Sequence, residues 1–140
     1  MAIIKIPLIT DYILIVDDNV SFVDLLKTVL DDDGEIDVAY DGEEGLKYLA
    51  TKDYDLVVSD IDMPKMDGIT FYHQAIQKHP LIKGKFIFIT GYASPERLEF
   101  FEAHGIHYFL KPARIKDIRI AARKILLLKK APPTNDNTGA

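Results

Sequence analysis

The chain has no cysteine, which excludes disulfide bonds, thiol catalysis and thiolate metal sites. It has no apolar run approaching the ~20 residues a membrane-spanning helix needs. Its first residues, Met1-Ala2-Ile3-Ile4-Lys5, lack the charged start, long apolar core and small-residue cleavage site of a secretory signal. It has no surplus of positive charge. A formal net charge of −5 over 140 residues argues against nucleic acid as a direct partner. These absences favour a reducing cytoplasm and no membrane. What is present is the composition of an ordinary globular protein, at a length that fits one domain.

The chain alternates short apolar runs with helical spacing. Residues 1–11 read as an extended lead-in. Tyr12-Ile13-Leu14-Ile15-Val16 is apolar throughout, as expected of a strand covered on both faces. Phe22, Leu25, Leu26, Val29 and Leu30 then form one broad helical stripe, stopped by Gly34. Ile36 to Tyr40 is a weaker strand, and Asp41 caps a helix carrying Leu46 and Leu49, with Glu44 three residues on. Tyr54 to Val58 is the third strand. Ile69, Phe71, Tyr72 and Ile76 mark a helix ended by His79-Pro80. Lys85 to Ile89 is the fourth strand, and Ser94-Pro95-Glu96 opens a short helix with Leu98, Phe100 and Phe101 facing inward. His107 to Leu110 is the fifth strand, followed by a helix over Ile115 to Lys130. Residues 131–140 are polar, rich in helix breakers and expected to be disordered. Five β–α repeats predict an α/β fold: a doubly wound parallel sheet with helices on both faces.

Ligands in such sheets bind beyond the carboxyl ends of the strands. Here those ends carry Asp17-Asp18, Asp60, Thr90 and Lys111. Singly, each has an ordinary reading: Asp17-Asp18 as a strand end or helix cap, Asp60 as a turn residue, Lys111-Pro112 as a loop. Together they deliver polar groups from four segments to one edge. Three clustered carboxylates raise one another's pKa values, and a hard cation relieves this. Mg²⁺ suits such a set, since it takes one or two carboxylates and keeps waters and phosphate oxygens. The four histidines lack zinc spacing, and His73, His79, His104 and His107 read as surface or helix-end residues. Carboxylate nucleophile, Mg²⁺, Lys111 and Thr90 make a phosphoryl-transfer site. The loop after Asp60 is bounded by Pro64, with fixed φ, and Gly68, which can take φ > 0.

The Asp17-Asp18 pair, the block Asp60-x-x-Met63-Pro64-x-x-Asp67-Gly68, Thr90-Gly91 and Lys111-Pro112 resemble the receiver domain of two-component response regulators, of the chemotaxis-regulator type. The likeness runs over about Tyr12 to Lys130, so the domain is read as 12–130. It implies a flavodoxin-like sheet of order 2-1-3-4-5. It implies that Asp60 is the phosphoacceptor, supplied by a phosphohistidine on a sensor histidine kinase or histidine phosphotransfer protein. Asp17, Asp18, Asp60 and the backbone carbonyl of Asp62 would hold Mg²⁺. Lys111 would pair with the phosphoryl group, and its bond to Pro112 is expected to be cis. Thr90 and Tyr108 would act as the switch. Asp62 and Tyr92 occupy positions that tune the family, and bulky Tyr92 is expected to shield the phosphoryl group. Such a module is no enzyme beyond labelling and unlabelling itself.

By the same likeness, Asn19, Phe22 and Leu25 dock the kinase, with plain core packing as the alternative for the two apolar residues. On the last helix Ile118, Ala121 or Ala122, Ile125 and Leu128 form one stripe, with Ile120 and Leu127 left over. That surplus predicts a downstream protein contact, a dimer contact or a helix that once continued into another domain, and the likeness places the output surface on the last two helices and the fifth strand. The chain reads as a single-domain regulator or a receiver cut from a longer regulator or hybrid kinase. Two other readings stand beside it. One is a haloacid-dehalogenase-type phosphatase, with Asp60-Ile61-Asp62 as its nucleophile and acid. The other is an unphosphorylated pseudo-receiver scaffold.

Overall fold

A computed structural model describes residues 10–130. Most of the expected lead-in and all of the expected disordered tail lie outside the described residues. The strands β1 (Tyr12–Val16), β2 (Glu35–Ala39), β3 (Leu56–Ser59), β4 (Phe86–Thr90) and β5 (His107–Leu110) form one parallel sheet of order β2-β1-β3-β4-β5. Helices α1 (Val20–Leu30), α2 (Gly42–Leu49), α3 (Gly68–Lys78), α4 (Pro95–His104) and α5 (Ile115–Lys130) connect and flank it. The doubly wound fold predicted from the alternating pattern is the fold observed.

The sheet divides two apolar layers, and consecutive strand residues serve opposite ones. Ile13, Ile15, Val58, Ile87 and Ile89 pack with Val23, Leu26 and Leu30 of α1 and with Ile118, Ala122 and Ile125 of α5. Leu14, Val16, Val57, Phe86 and Phe88 pack with Leu49 of α2, Phe71 and Tyr72 of α3 and Phe101 of α4. Because both faces are covered, β1, β3 and β4 are buried almost throughout, which is why they read as unbroken apolar runs.

Two inward assignments are corrected. Leu98 is 39% exposed. Phe101 and the partly buried Phe100 set the packed face of α4, and at ~100° per residue Leu98 stands roughly a quarter turn outside it. Leu128 is 73% exposed, and Leu126 takes the place expected for it. The face set by Ile118, Ala122 and Ile125 continues at i+8, not at i+10. Strand ends also move slightly: β3 begins at Leu56 rather than Tyr54, and Tyr40 lies just past β2.

The helix starts follow the capping chemistry. Asn19, Asp41, Asp67 and Ser94 each accept an N–H from the first turn of the helix they precede. Asp41 Oδ1 takes the Glu44 N–H at 2.8 Å, and Lys65 Nζ approaches Asp41 Oδ2 at 3.5 Å. The Glu44 N–H, against partial burial and helped by Lys65, holds the Asp41 carboxyl below the usual carboxylate range. Replacing Asp41 by alanine is expected to cost about 1 kcal/mol at neutral pH, read from urea melts. A lowered carboxyl contributes fully above its unfolded pKa of about 3.9 and is lost as pH falls through the folded value. The difference between wild type and Asp41→Ala therefore narrows in melts below about pH 4.

Candidate functional site at the carboxyl edge of the sheet

Asp17 and Asp18 follow β1 directly, Asp60 follows β3, and Lys111 follows β5. Strand register brings these ends level: Val16 pairs with Ser59 and Thr90 with Leu110. The backbone continues the ladder past the strands, with Asp60 N–H on the Val16 carbonyl at 2.9 Å and Lys111 N–H on the Thr90 carbonyl at 2.8 Å. Each side chain at the edge is thus set by sheet geometry rather than by a long loop.

Asp17, Asp18 and Asp60 each present a carboxylate oxygen within 4.8 Å of the others. Asp17 and Asp60 are buried and Asp18 is exposed. Lys111 Nζ reaches Asp17 Oδ2 at 3.3 Å and Asp60 Oδ2 at 3.4 Å, and lies 4.5 Å from the centre of the Phe22 ring. Burial pushes the Asp17 carboxyl up, against the Asn19 N–H and the Lys111 ammonium. Burial also pushes Asp60 up, reinforced by the charge of Asp17 and opposed by Lys111 and the Ile61 N–H. Two crowded, partly desolvated carboxylates with one ammonium are electrostatically incomplete. An all-oxygen donor set of this kind fits a hard divalent cation such as Mg²⁺.

The loop after Asp60 is held tightly. Asp60 Oδ1 accepts the Ile61 N–H at 2.7 Å, Ser59 Oγ donates to the Asp60 carbonyl at 2.8 Å, and Gly68 N–H reaches the Ile61 carbonyl at 2.8 Å. Gly68 is needed for a reason other than a positive φ, which in this loop belongs to Lys65 at 68°. A Cβ on Gly68 would stand 2.2 Å from the Asp60 carbonyl oxygen, so α3 starts closer to the acidic centre than any side chain permits.

Thr90 is fully buried, and its hydroxyl is engaged by Tyr92 and Arg97. It donates to the Tyr92 carbonyl at 3.1 Å. Tyr108 is 39% exposed and stacks on Phe101, ring centres 4.5 Å apart. Tyr92 is exposed, and the Arg97 guanidinium lies over its ring at 5.7 Å. Asp62 also turns outward, to Arg97. The structure therefore gathers Asp17, Asp18, Asp60 and Lys111, and joins Thr90, Tyr92 and Asp62 to them through neighbouring loops. Arg97 is the participant that sequence reasoning missed. The Lys111–Pro112 bond is cis.

A parallel sheet of this order with this acidic edge is the architecture that the receiver likeness implies. Residues 13–123 match the response regulator receiver domain family, and the chain belongs to it. It is a receiver of two-component phosphorelay signalling, which sets aside the phosphatase reading. A probable chemotaxis protein CheY of Rhizobium etli is 36% identical over 117 residues, covering 81% of this chain and 90% of that one. A protein-glutamate methylesterase/protein-glutamine glutaminase of Bradyrhizobium diazoefficiens is 34% identical over 103 residues, 71% of this chain but 28% of that protein. The chain thus spans under a third of that larger relative. Among solved structures, a CheY-like receiver domain protein from Methanospirillum hungatei superposes with a TM-score of 0.78 at 30% identity, covering 86% of this chain and 97% of that one. No helix among the described residues is long and apolar enough to cross a membrane.

Gly68→Ala is expected to destabilise the fold by about 1–3 kcal/mol, because the added methyl collides with backbone rather than with a movable side chain. Urea unfolding at neutral pH measures this, and a cost under ~0.5 kcal/mol would show that the loop yields.

Proposed function

We propose that Asp60 accepts a phosphoryl group from a phosphohistidine donor and that this switches a protein-binding face. The observation that carries the reading is the buried Asp60 carboxylate beside Asp17 and Asp18, with Lys111 Nζ at 3.4 Å. An Asp60 oxygen attacks phosphorus as the P–N bond to the donor imidazole breaks, and that nitrogen keeps the bonding electron pair. Lys111 offers its ammonium to the arriving phosphoryl oxygens in a site that is largely out of water. Asp17, Asp18, Asp60 and the Asp62 backbone carbonyl are the groups that would hold Mg²⁺. The ion, when bound, neutralises charge on the carboxylates and on phosphoryl oxygens. Asp60 is the only group the reaction alters covalently, so the module labels itself and does not turn over a substrate.

The new group adds about −1.5 to −2 charges at one point. Thr90, already at the pocket's edge, turns its hydroxyl to the phosphoryl oxygens, and Tyr108 follows from its exposed position. Taking such a switch from mostly resting to mostly active needs roughly 5 kcal/mol of differential stabilisation. Phe22 and Leu25, half-buried and exposed respectively, lie with Asn19 beside the acidic edge and offer a docking face for the kinase or phosphotransfer protein. Leu98, Tyr108, Leu110 and Ile120 are exposed on α4, β5 and α5 and suit a downstream protein or a second copy. The working domain is residues 12–130, and its setting is the cytoplasm, where such donors act.

Incubation with Mg²⁺ and acetyl phosphate tests the chemistry. Intact-mass spectrometry is expected to show one phosphoryl adduct on wild type and none on Asp60→Asn. An adduct of equal yield on both would refute the assignment. Tyr92→Ala is expected to shorten the life of that adduct several-fold by opening a path for water, timed by the decay of the shifted mass. An unchanged or longer lifetime would remove the shielding role of Tyr92.

A further inference from the structure

Arg97 stands in the first turn of α4, where an arginine normally serves only solubility. Here its side chain is 18% exposed and binds three residues of two separate segments. Nη2 donates to Asp62 Oδ1 at 2.6 Å and Nη1 to Asp62 Oδ2 at 3.0 Å, a two-pronged ion pair. Nη1 also donates to the Tyr92 carbonyl at 2.9 Å and to Thr90 Oγ1 at 3.3 Å.

The consequence falls on Thr90. Its single hydroxyl proton goes to the Tyr92 carbonyl at 3.1 Å, while its oxygen accepts from Tyr92 N–H at 3.3 Å and from Arg97. A hydroxyl committed in this way has no proton for an oxygen on Asp60. Turning inward means leaving the Tyr92 carbonyl and leaving Arg97, which Asp62 keeps in place. The contact to Asp62 crosses 35 positions of sequence, from the loop after β3 to α4. It therefore clasps the two loops that border the pocket.

We propose that Arg97 is a positioning residue: anchored by Asp62, it latches Thr90 and the β4–α4 loop in the outward, resting arrangement, and so sets how readily the site responds to a phosphoryl group. The proposal rests on the reading of Asp60 as phosphoacceptor and Thr90 as switch. The latch acts on the balance between two arrangements and does not touch the phosphoryl group. Removing it therefore strengthens the response. Had Arg97 been a second cation for the phosphoryl oxygens, removing it would weaken the response.

The test is a beryllofluoride titration of the full chain in Mg²⁺, followed by NMR. Arg97→Ala is expected to bind this phosphoryl mimic about fivefold more tightly than wild type, the scale of one partly exposed ion pair. Tyr108 signals of the unliganded variant are expected to move part of the way to their saturated positions. Arg97→Lys is expected to fall between the two, because an ammonium lacks the planar fork that holds both Asp62 oxygens. Should Arg97→Ala fail to fold, Arg97→Lys carries the same sign at smaller amplitude. Binding that is Asp60-dependent in wild type but unchanged or weaker in these variants overturns the latch alone. Binding that survives Asp60→Asn undiminished overturns the phosphoacceptor reading, and the latch with it.

Discussion

Two buried carboxylates, Asp17 and Asp60, share one ammonium at the edge of the sheet, and the rest of the molecule is arranged around that unbalanced charge. Such a cluster is costly in a low-dielectric interior. It persists because the strands around it leave the side chains nowhere else to go. Val16 is register-paired with Ser59, so the residues that follow emerge side by side. Lys111 enters from the far side of the sheet, two strands from Asp60, and offsets part of the repulsion. The remaining negative charge is the attraction that a hard cation would meet.

The sheet isolates this edge from the packing below it. Its two apolar layers are filled from opposite faces of the same strands, Ile13 and Ile15 in one, Leu14 and Val16 in the other. Neither layer needs a polar group from the edge to complete it. Rearrangement of the loop after β4 therefore need not disturb the core. The tight segment is elsewhere: the β3–α3 loop is pinned by Gly68 against the Asp60 carbonyl and by Ser59 Oγ. One bordering loop is thus held by close backbone approach and carries Asp60, while the other is held by side-chain contacts.

Much of this was legible in the residues. A parallel sheet buries both faces of its inner strands, so β1, β3 and β4 announce themselves as apolar runs, and the chemical groups follow within two residues of each run. Sequence adjacency carried that information. It failed where faces or partners are set in three dimensions. Leu126 and Leu128 are told apart only once Ala122 is known to share the buried face of α5 with Ile118 and Ile125. Gly68 was legible as a special position, but the reason is the space it leaves and not its φ. Arg97 was invisible because its partners belong to other loops, and nothing local distinguishes it from a solvated arginine near a helix start. The family likeness supplied the expected roles of the edge residues and was silent on this one.

The Phe22 ring is half-buried on α1, and the Lys111 ammonium sits 4.5 Å from its centre. The aromatic face stabilises that cation by its quadrupole. On the proposed reading, a protein docked on α1 would bear on the ring that steadies the pocket's own positive charge. A push on that outer wall would then reach Lys111 through a single aromatic ring.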